Sequence, residues 1–333
     1  MMRPARSLLT LAVAGSLLIA SCGGGEEGGD TLTVYSGRSE ELVQPLIDLF
    51  EEATGIAVEV RYGESPELAA LLIAEGESSN ADVFFAQDPA SLGSVGELLM
   101  ELPDTILSTV DEKYRDRGQR WVGISGRVRT FVYNTSSTIP LPQTIDDVTS
   151  PAWASQVGVA PTNGSFLTFV SAMILERGED ATLDWLRDLA ANDPIDYPSN
   201  SPIVAAADGG EIEGGLVNHY YLLQLRAQGG GADSENHFIP AGDVGSLVMT
   251  AGAGILTSSD NNDTAEQFLD FLLSRRAQEY FATVTFEYPL LDGVDAAEGL
   301  PPLSEIKTPD IDLSALSEVL DRATELVAEA GLV

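Results

Sequence analysis

The feature that most constrains this chain lies between residues 32 and 85, where the period of the apolar residues keeps switching. Leu32, Val34 and Tyr35 belong to a short β-prone run. Residues 39–54 then put Leu42, Leu46, Leu49 and Phe50 on one helical face. Residues 57–62 alternate as a strand, residues 65–75 turn Leu68, Leu71 and Leu72 inward as a second helix, and residues 81–85 form a third strand. Strand, helix, strand, helix, strand at this spacing implies a parallel sheet with helices on its faces.

The pattern restarts in the middle of the chain. Residues 121–124, 129–133, 157–160, 195–197 and 215–217 read as strands, with helices expected over 166–176, 181–191 and 202–208. Strands over 245–250 and 253–256 follow, then helices over 263–273, 276–283 and 312–330. No short tandem period is visible, so a solenoid is not expected. Two α/β lobes joined by chain crossings make a clamshell with hinge strands. The expected division is 31–125 plus 248–300 for one lobe and 126–247 plus 301–333 for the other. Ligands of open α/β sheets sit outside the carboxyl ends of the strands. That singles out residues 36–38, 86–88, 162–165, 199–200 and 218–221.

The first thirty residues read as processing, not fold. Arg3 and Arg6 precede an apolar run over residues 8–20. That run is shorter than the ~20 residues a membrane span needs and fits a secretory signal over residues 1–21. It ends in Ala20-Ser21-Cys22, and Cys22 is the only cysteine of the chain. A lone exported cysteine after small residues is expected to carry a lipid. Residues 22–30, rich in glycine and acid, then form a flexible tether. The expected location is the outer face of the cell membrane or the periplasm, and a monomer is expected.

Charge and chemistry narrow the ligand. The net charge of −35 argues against nucleic acid and exerts a long-range pull on cations, though it also suits a soluble secreted surface. With two histidines, His219 and His237, a histidine-rich zinc site is not expected. Asn218-His219-Tyr220-Tyr221 is the most informative stretch. A phenolate is a hard anionic donor suited to Fe³⁺, and a bound cation can drive its deprotonation. Adjacent tyrosines converge on one ligand only if the chain turns there. Asp260-Asn261-Asn262-Asp263 lacks the calcium-loop spacing and is expected to cap the helix after it. No nucleophile sits in a recognisable motif with a base, so no enzyme is expected.

A resemblance adds to this. Seven stretches occur in the order and spacing of the ferric-iron-binding proteins of bacterial ABC importers. They are Thr33-Val34-Tyr35-Ser36-Gly37, Ala81-Asp82-Val83-Phe84, Ile124-Ser125-Gly126-Arg127-Val128-Arg129, Val132-Tyr133-Asn134-Thr135, Pro161-Thr162-Asn163-Gly164-Ser165-Phe166, Asn218-His219-Tyr220-Tyr221 and Glu287-Tyr288-Pro289-Leu290. The chain resembles that family over roughly residues 31–333. The resemblance implies a type II periplasmic-binding-protein fold, with Fe³⁺ between the lobes and delivery to an ABC permease. It implies Tyr220 and Tyr221 as the metal ligands, and phosphate or carbonate as a synergistic anion. The anion would be held by Asn163, Gly164 and Ser165, where backbone N–H groups open a helix, with Asn200 and Asn218 bonding to it. Asn163 or Ser165 also suits a helix N-cap, and the two roles are compatible.

The chain departs from the family pattern at three ligand positions, which hold Ser39, Gln87 and Phe166. Two protein ligands plus anion and water are therefore expected, with Gln87, Asp88 and Ser39 as further cleft residues. Arg38 and Arg127 are suited to clamp the anion bidentately, and Arg129 is a third such candidate. The alternative within the same fold is direct binding of an anionic organic solute such as a phosphonate.

Overall fold

A computed structural model describes residues 31–333; the expected signal segment, Cys22 and the tether lie outside the described residues. β1 (Leu32–Ser36), α1 (Glu40–Thr54), β2 (Val58–Tyr62), α2 (Ser65–Glu75) and β3 (Val83–Ala86) follow in the expected order. β1 pairs in parallel with both β2 and β3. α1 buries Val43, Leu46, Ile47 and Phe50, and Phe50 packs edge-on against Phe268 and Phe271. Gly55 ends α1 in the left-handed region at φ 75°, its N–H bonded to the Glu51 carbonyl.

After the short helices α3 (Pro89–Ser94) and α4 (Asp104–Leu107) comes β4 (Val122–Asn134), a single strand where two were expected. The small residues Ser125 and Gly126 separate two apolar runs and so read as a break. Instead the register against the neighbouring strand shifts between Gly123 and Ser125. A bulge of this kind bends a strand without ending it. The second half of the fold runs β5 (Val157–Val159), α5 (Gly164–Arg177), α6 (Glu179–Ala191), β6 (Ile195–Asp196), α7 (Asn200–Asp208), β7 (Gly214–Asn218), α8 (Tyr220–Ala227) and β8 (Ser234–His237). β9 (Val248–Ile255) is again one strand where two were expected, because Ala251 and Gly252 pair with β4 and Gly252 with β3; it starts later than expected because residues 244–246 form a 3-10 turn. α9 (Asn262–Leu272), α10 (Arg275–Tyr280), β10 (Tyr288–Pro289) and α11 (Leu320–Glu329) complete the chain. The last helix is shorter than expected, because residues 313–319 wind as 3-10.

The sheet order is β2-β1-β3-β9-β4-β7-β5-β6. β4 is the shared element. Residues 122–128 pair with β9, and residues 129–133 pair with β7. One α/β half is therefore built on β1, β2, β3 and β9, and the other on β5, β6 and β7. The C-terminal tail packs on both: the 3-10 run rests on α3 and α5, and α11 on α5 and α6. Trp121, Phe84, Phe85, Phe131, Phe166 and Phe169 are fully buried, each contributing on the order of 1.5–3 kcal/mol by burial. The cap expected at residues 260–263 takes a different form. Asn261 holds the N-cap position of α9 without a side-chain bond to it, and its amide reaches the Asp82 carboxylate and the Thr31 carbonyl instead.

Candidate metal and anion site

The turn required at the tyrosine pair is present. β7 ends at Asn218, His219 stands at the N-cap, and Tyr220 opens α8. This abrupt strand-to-helix corner brings the two rings together, 4.3 Å between centroids and 32° apart in plane. Tyr220 is buried and Tyr221 half-buried. Burial, and then the neighbouring Tyr220, push the Tyr221 phenol above its ordinary pKa, while Arg127 and Arg38 pull it down.

Three arginines are buried around this pair: Arg38, Arg127 and Arg129, each at most 2% exposed. Arg38 follows β1 and donates to Glu287 at 2.6 Å, Glu287 itself being 1% exposed. Arg127 and Arg129 project from β4, two residues apart and so on one face of the strand. Arg127 donates to the Gln87 carbonyl. Arg129 donates to the Leu216 carbonyl at 3.1 Å, and to Ser165 Oγ and Asn200 Oδ1 at 3.4 Å each. Burial pulls its pKa down to about 9, against the upward pull of Tyr221 and Tyr220, so it remains charged at neutral pH.

The loop after β5 forms the facing wall. Asn163 is the N-cap of α5 and accepts from the Ser165 N–H at 3.1 Å and from Ser165 Oγ at 2.6 Å. Asn200, opening α7, donates to Asn163 Oδ1 and to Ser165 Oγ, both at 3.2 Å. A Cβ on Gly164 would meet no protein atom within 4 Å, so packing does not demand a glycine there. A cavity of about 330 Å³ runs between this loop and Glu64, Glu67, Gln87, Asp88 and Arg127. Tyr220 and Tyr221 are not among its lining residues. A larger cavity, about 580 Å³, lies elsewhere, between residues 108–114 and 288–304.

Several polar atoms near the pair are buried and without partners: Nε of Arg38, Arg127 and Arg129, both amide atoms of Asn218, and Oε1 of Glu287. Orphaned buried polar atoms are costly, of order 1–3 kcal/mol each, and are rare without a reason. Here they gather at the carboxyl ends of β1 and β7 and on the arginine face of β4. A polar ligand at that point gives them partners.

Of the three further cleft residues expected, Gln87 and Asp88 line the cavity and Ser39 does not. Asp88 lines the cavity, but Oδ1 accepts the Ser91 N–H at 2.8 Å and Oδ2 accepts the Ser91 hydroxyl at 3.0 Å, capping α3. Burial pushes its carboxyl up, opposed by those bonds and by Arg127. Ser39 is the exposed N-cap of α1 and does not line the cavity. Gln87 does line it, its N–H bonded to Ser65 Oγ at 2.8 Å. Ser65 also crowds Gly37, where a Cβ would lie 1.9 Å from Ser65 Oγ, so glycine is needed to let the loop after β1 meet the start of α2. Among the described residues no three His, Cys, Asp or Glu side chains come together as a metal group.

Two residues at the site were not singled out from sequence. Glu287 sits in a stretch that carried the resemblance, but its pairing with Arg38 spans 249 positions and leaves no local signal. His219 was weighed only against zinc. Its Nδ1 accepts from the Val128 N–H at 3.1 Å and its Nε2–H donates to the Phe286 carbonyl at 2.8 Å. Burial pulls its pKa down to about 4.

Known proteins share this arrangement of chain. Residues 67–314 match one family, and residues 32–99 a second, both described as bacterial extracellular solute-binding protein. The major ferric iron-binding protein of Neisseria meningitidis serogroup B is 34% identical over 313 residues, covering 90% of this chain and 93% of that protein. The Fe(3+)-binding periplasmic protein of Serratia marcescens is 31% identical over 329 residues, covering 96% of each. Iron-bound HitA from Pseudomonas aeruginosa superposes with a TM-score of 0.84 at 31% identity, over 91% of this chain and 99% of that one.

Proposed function

The chain belongs to the bacterial extracellular solute-binding protein family, whose members are binding proteins rather than enzymes, and has its two-lobed type II fold; from that premise we propose that it binds Fe³⁺ together with a small anion and hands the iron to an ABC permease. Tyr220 and Tyr221 supply the phenolates. Arg38, Arg127, Asn163, Gly164, Ser165, Asn200 and Asn218 hold the anion, phosphate or carbonate. Arg129 braces that wall through Ser165 and Asn200. The lobes divide as 31–125 plus 248–300 and 126–247 plus 301–333, and the protein works as a monomer anchored outside the cell through lipidated Cys22.

One observation carries the reading: a tilted tyrosine pair, 4.3 Å between ring centroids, lies among three buried arginines and the unpartnered amide of Asn218. Arginines alone suit an anion, and tyrosines alone suit a core; the combination suits a cation and an anion side by side. Two phenolates and a dianion roughly balance a trivalent cation, which a low-dielectric cleft requires. The relatives named for ferric iron support the same choice of metal. A second reading, direct capture of an anionic organic solute, is favoured by the three buried arginines and by Ser39 and Gln87 standing at positions where the family resemblance implies metal ligands.

The test is a ferric titration of the protein starting at Gly23, followed by visible absorption with and without phosphate or carbonate. A saturable tyrosinate-to-iron band is expected. It is lost in Tyr220→Phe/Tyr221→Phe and collapses when anion is excluded. Absence of a band with every anion rejects the iron reading and leaves the organic anion.

A further inference from the structure

One short segment touches both halves of this site. Residues 281–285 form a π turn, and Phe286 follows in the left-handed region at φ 61°. A bulky side chain seldom adopts that conformation, so the surrounding bonds must hold it. From this bend, successive residues reach in different directions. The Phe286 carbonyl accepts from His219 at 2.8 Å, while Glu287 binds Arg38 at 2.6 Å. Tyr288 pairs with Gly126 of β4, and its ring lies 4.7 Å from that of His219.

The partners of His219 fix its protonation. A backbone N–H can only donate, so Nδ1, facing Val128 N–H, is bare. A carbonyl can only accept, so Nε2, facing Phe286, carries the hydrogen. The backbone of His219 is tied as well: its N–H donates to the Val128 carbonyl at 3.0 Å, and its carbonyl accepts from Asn236 Nδ2 at 2.7 Å. Every polar atom of the residue preceding the tyrosine pair therefore has a defined partner, and its ring meets Tyr220 edge-on at 5.7 Å.

We propose that His219 is a positioning residue: it ties the Tyr220–Tyr221 corner to the Phe286–Glu287 bend that also holds Arg38, fixing the separation between the phenol donors and the anion clamp. The proposal rests on the tyrosine pair being the iron ligands. Groups that orient a metal ligand through hydrogen bonds commonly alter affinity by about 10- to 100-fold when removed.

The test compares His219→Gln, which keeps an acceptor and a donor at similar reach, with His219→Asn, too short to reach Phe286, and His219→Phe, which keeps a ring but neither bond. For folded variants, checked by circular dichroism, iron affinity is expected to fall at least about tenfold in the Asn and Phe proteins, with a shifted charge-transfer band, and to be largely restored in the Gln protein. If the Phe protein does not fold, the Asn and Gln pair decides alone. A wild-type spectrum and affinity in folded His219→Asn overturns the proposal. A metal-free readout separates this from the iron reading: in iron-free protein carrying ¹³C-labelled tyrosine, the Tyr220 and Tyr221 resonances are expected to move in the Asn variant and hold in the Gln variant. If wild type gives no iron band, the iron reading fails. Unmoved tyrosine resonances then reject the positioning role as well, and moved ones retain it.

Discussion

Two demands conflict at Tyr221. Burial and the adjacent Tyr220 hold its phenol protonated, while a ferric ligand must be a phenolate. Arg127 and Arg38 ease the conflict without removing it, since both favour the anionic form. On the proposed ligation, the proton must therefore leave when iron binds. The sign follows directly: the free protein carries more protons than the loaded one, so raising the pH favours loading. Each proton released makes the apparent affinity rise about tenfold per pH unit. A competition against a chelator of known pH dependence, at pH 6.5 and 7.5 with the anion held in excess, is expected to give a rise of ten- to about a hundredfold. A flat profile would mean that the phenols do not ionise and so do not bind the metal. At this scale the sequence was readable where chemistry is local: Tyr220 and Tyr221 are neighbours, and the corner they need can be inferred. It was not readable at Glu287, whose partner Arg38 is 249 positions away.

Helix starts and strand ends deliver the donors. The α5 start does two jobs with one residue, because Asn163 caps the helix and stands beside the cavity. The two jobs separate in Asn163→Asp. An aspartate caps as well as an asparagine, so unfolding stability is expected to stay within about 0.5 kcal/mol of wild type. It also adds a negative charge where the anion would sit, and like-charge juxtaposition costs several kcal/mol. Phosphate-supported iron affinity is therefore expected to fall at least about tenfold in the same protein. Unchanged affinity would remove this loop from the anion site. Denaturant unfolding and the iron titration, on one preparation, check both halves. The elements themselves were largely legible from period alone, as in α1 and β1 to β3. The errors fell where small residues interrupt an apolar run. Ser125 and Gly126 read as a gap in β4, but pairing to β9 and a bulge carry the strand through. Pairing partners far along the chain decide such cases, and a local pattern does not contain them. Asp88 does line the cavity as expected, and its cap on Ser91 is a further, local role that the sequence reading did not include.

The net charge of the whole molecule and the arginine cluster beside the tyrosine pair are of opposite sign. The chain has 52 acidic and 17 basic residues, for a net charge of −35. Three of those basic residues are buried around the tyrosine pair. Which sign an approaching ligand feels depends on distance. At 0.01 M salt the screening length is about 30 Å, so an incoming ion senses the whole protein. At 0.15 M it is about 8 Å, and only the local field of the cleft acts beyond contact. Iron supplied as an anionic chelate, such as ferric citrate, is repelled by the net charge at low salt and drawn in by the arginines once that repulsion is screened. Its capture rate is therefore expected to rise several-fold between 0.01 and 0.15 M sodium chloride, the reverse of ordinary steering between opposite charges. Stopped-flow absorbance at the charge-transfer band measures it, with the anion concentration fixed so that only ionic strength changes. A rate that falls with salt would mean that the buried arginines govern encounter even at long range. The acidic surface would then act on solubility alone.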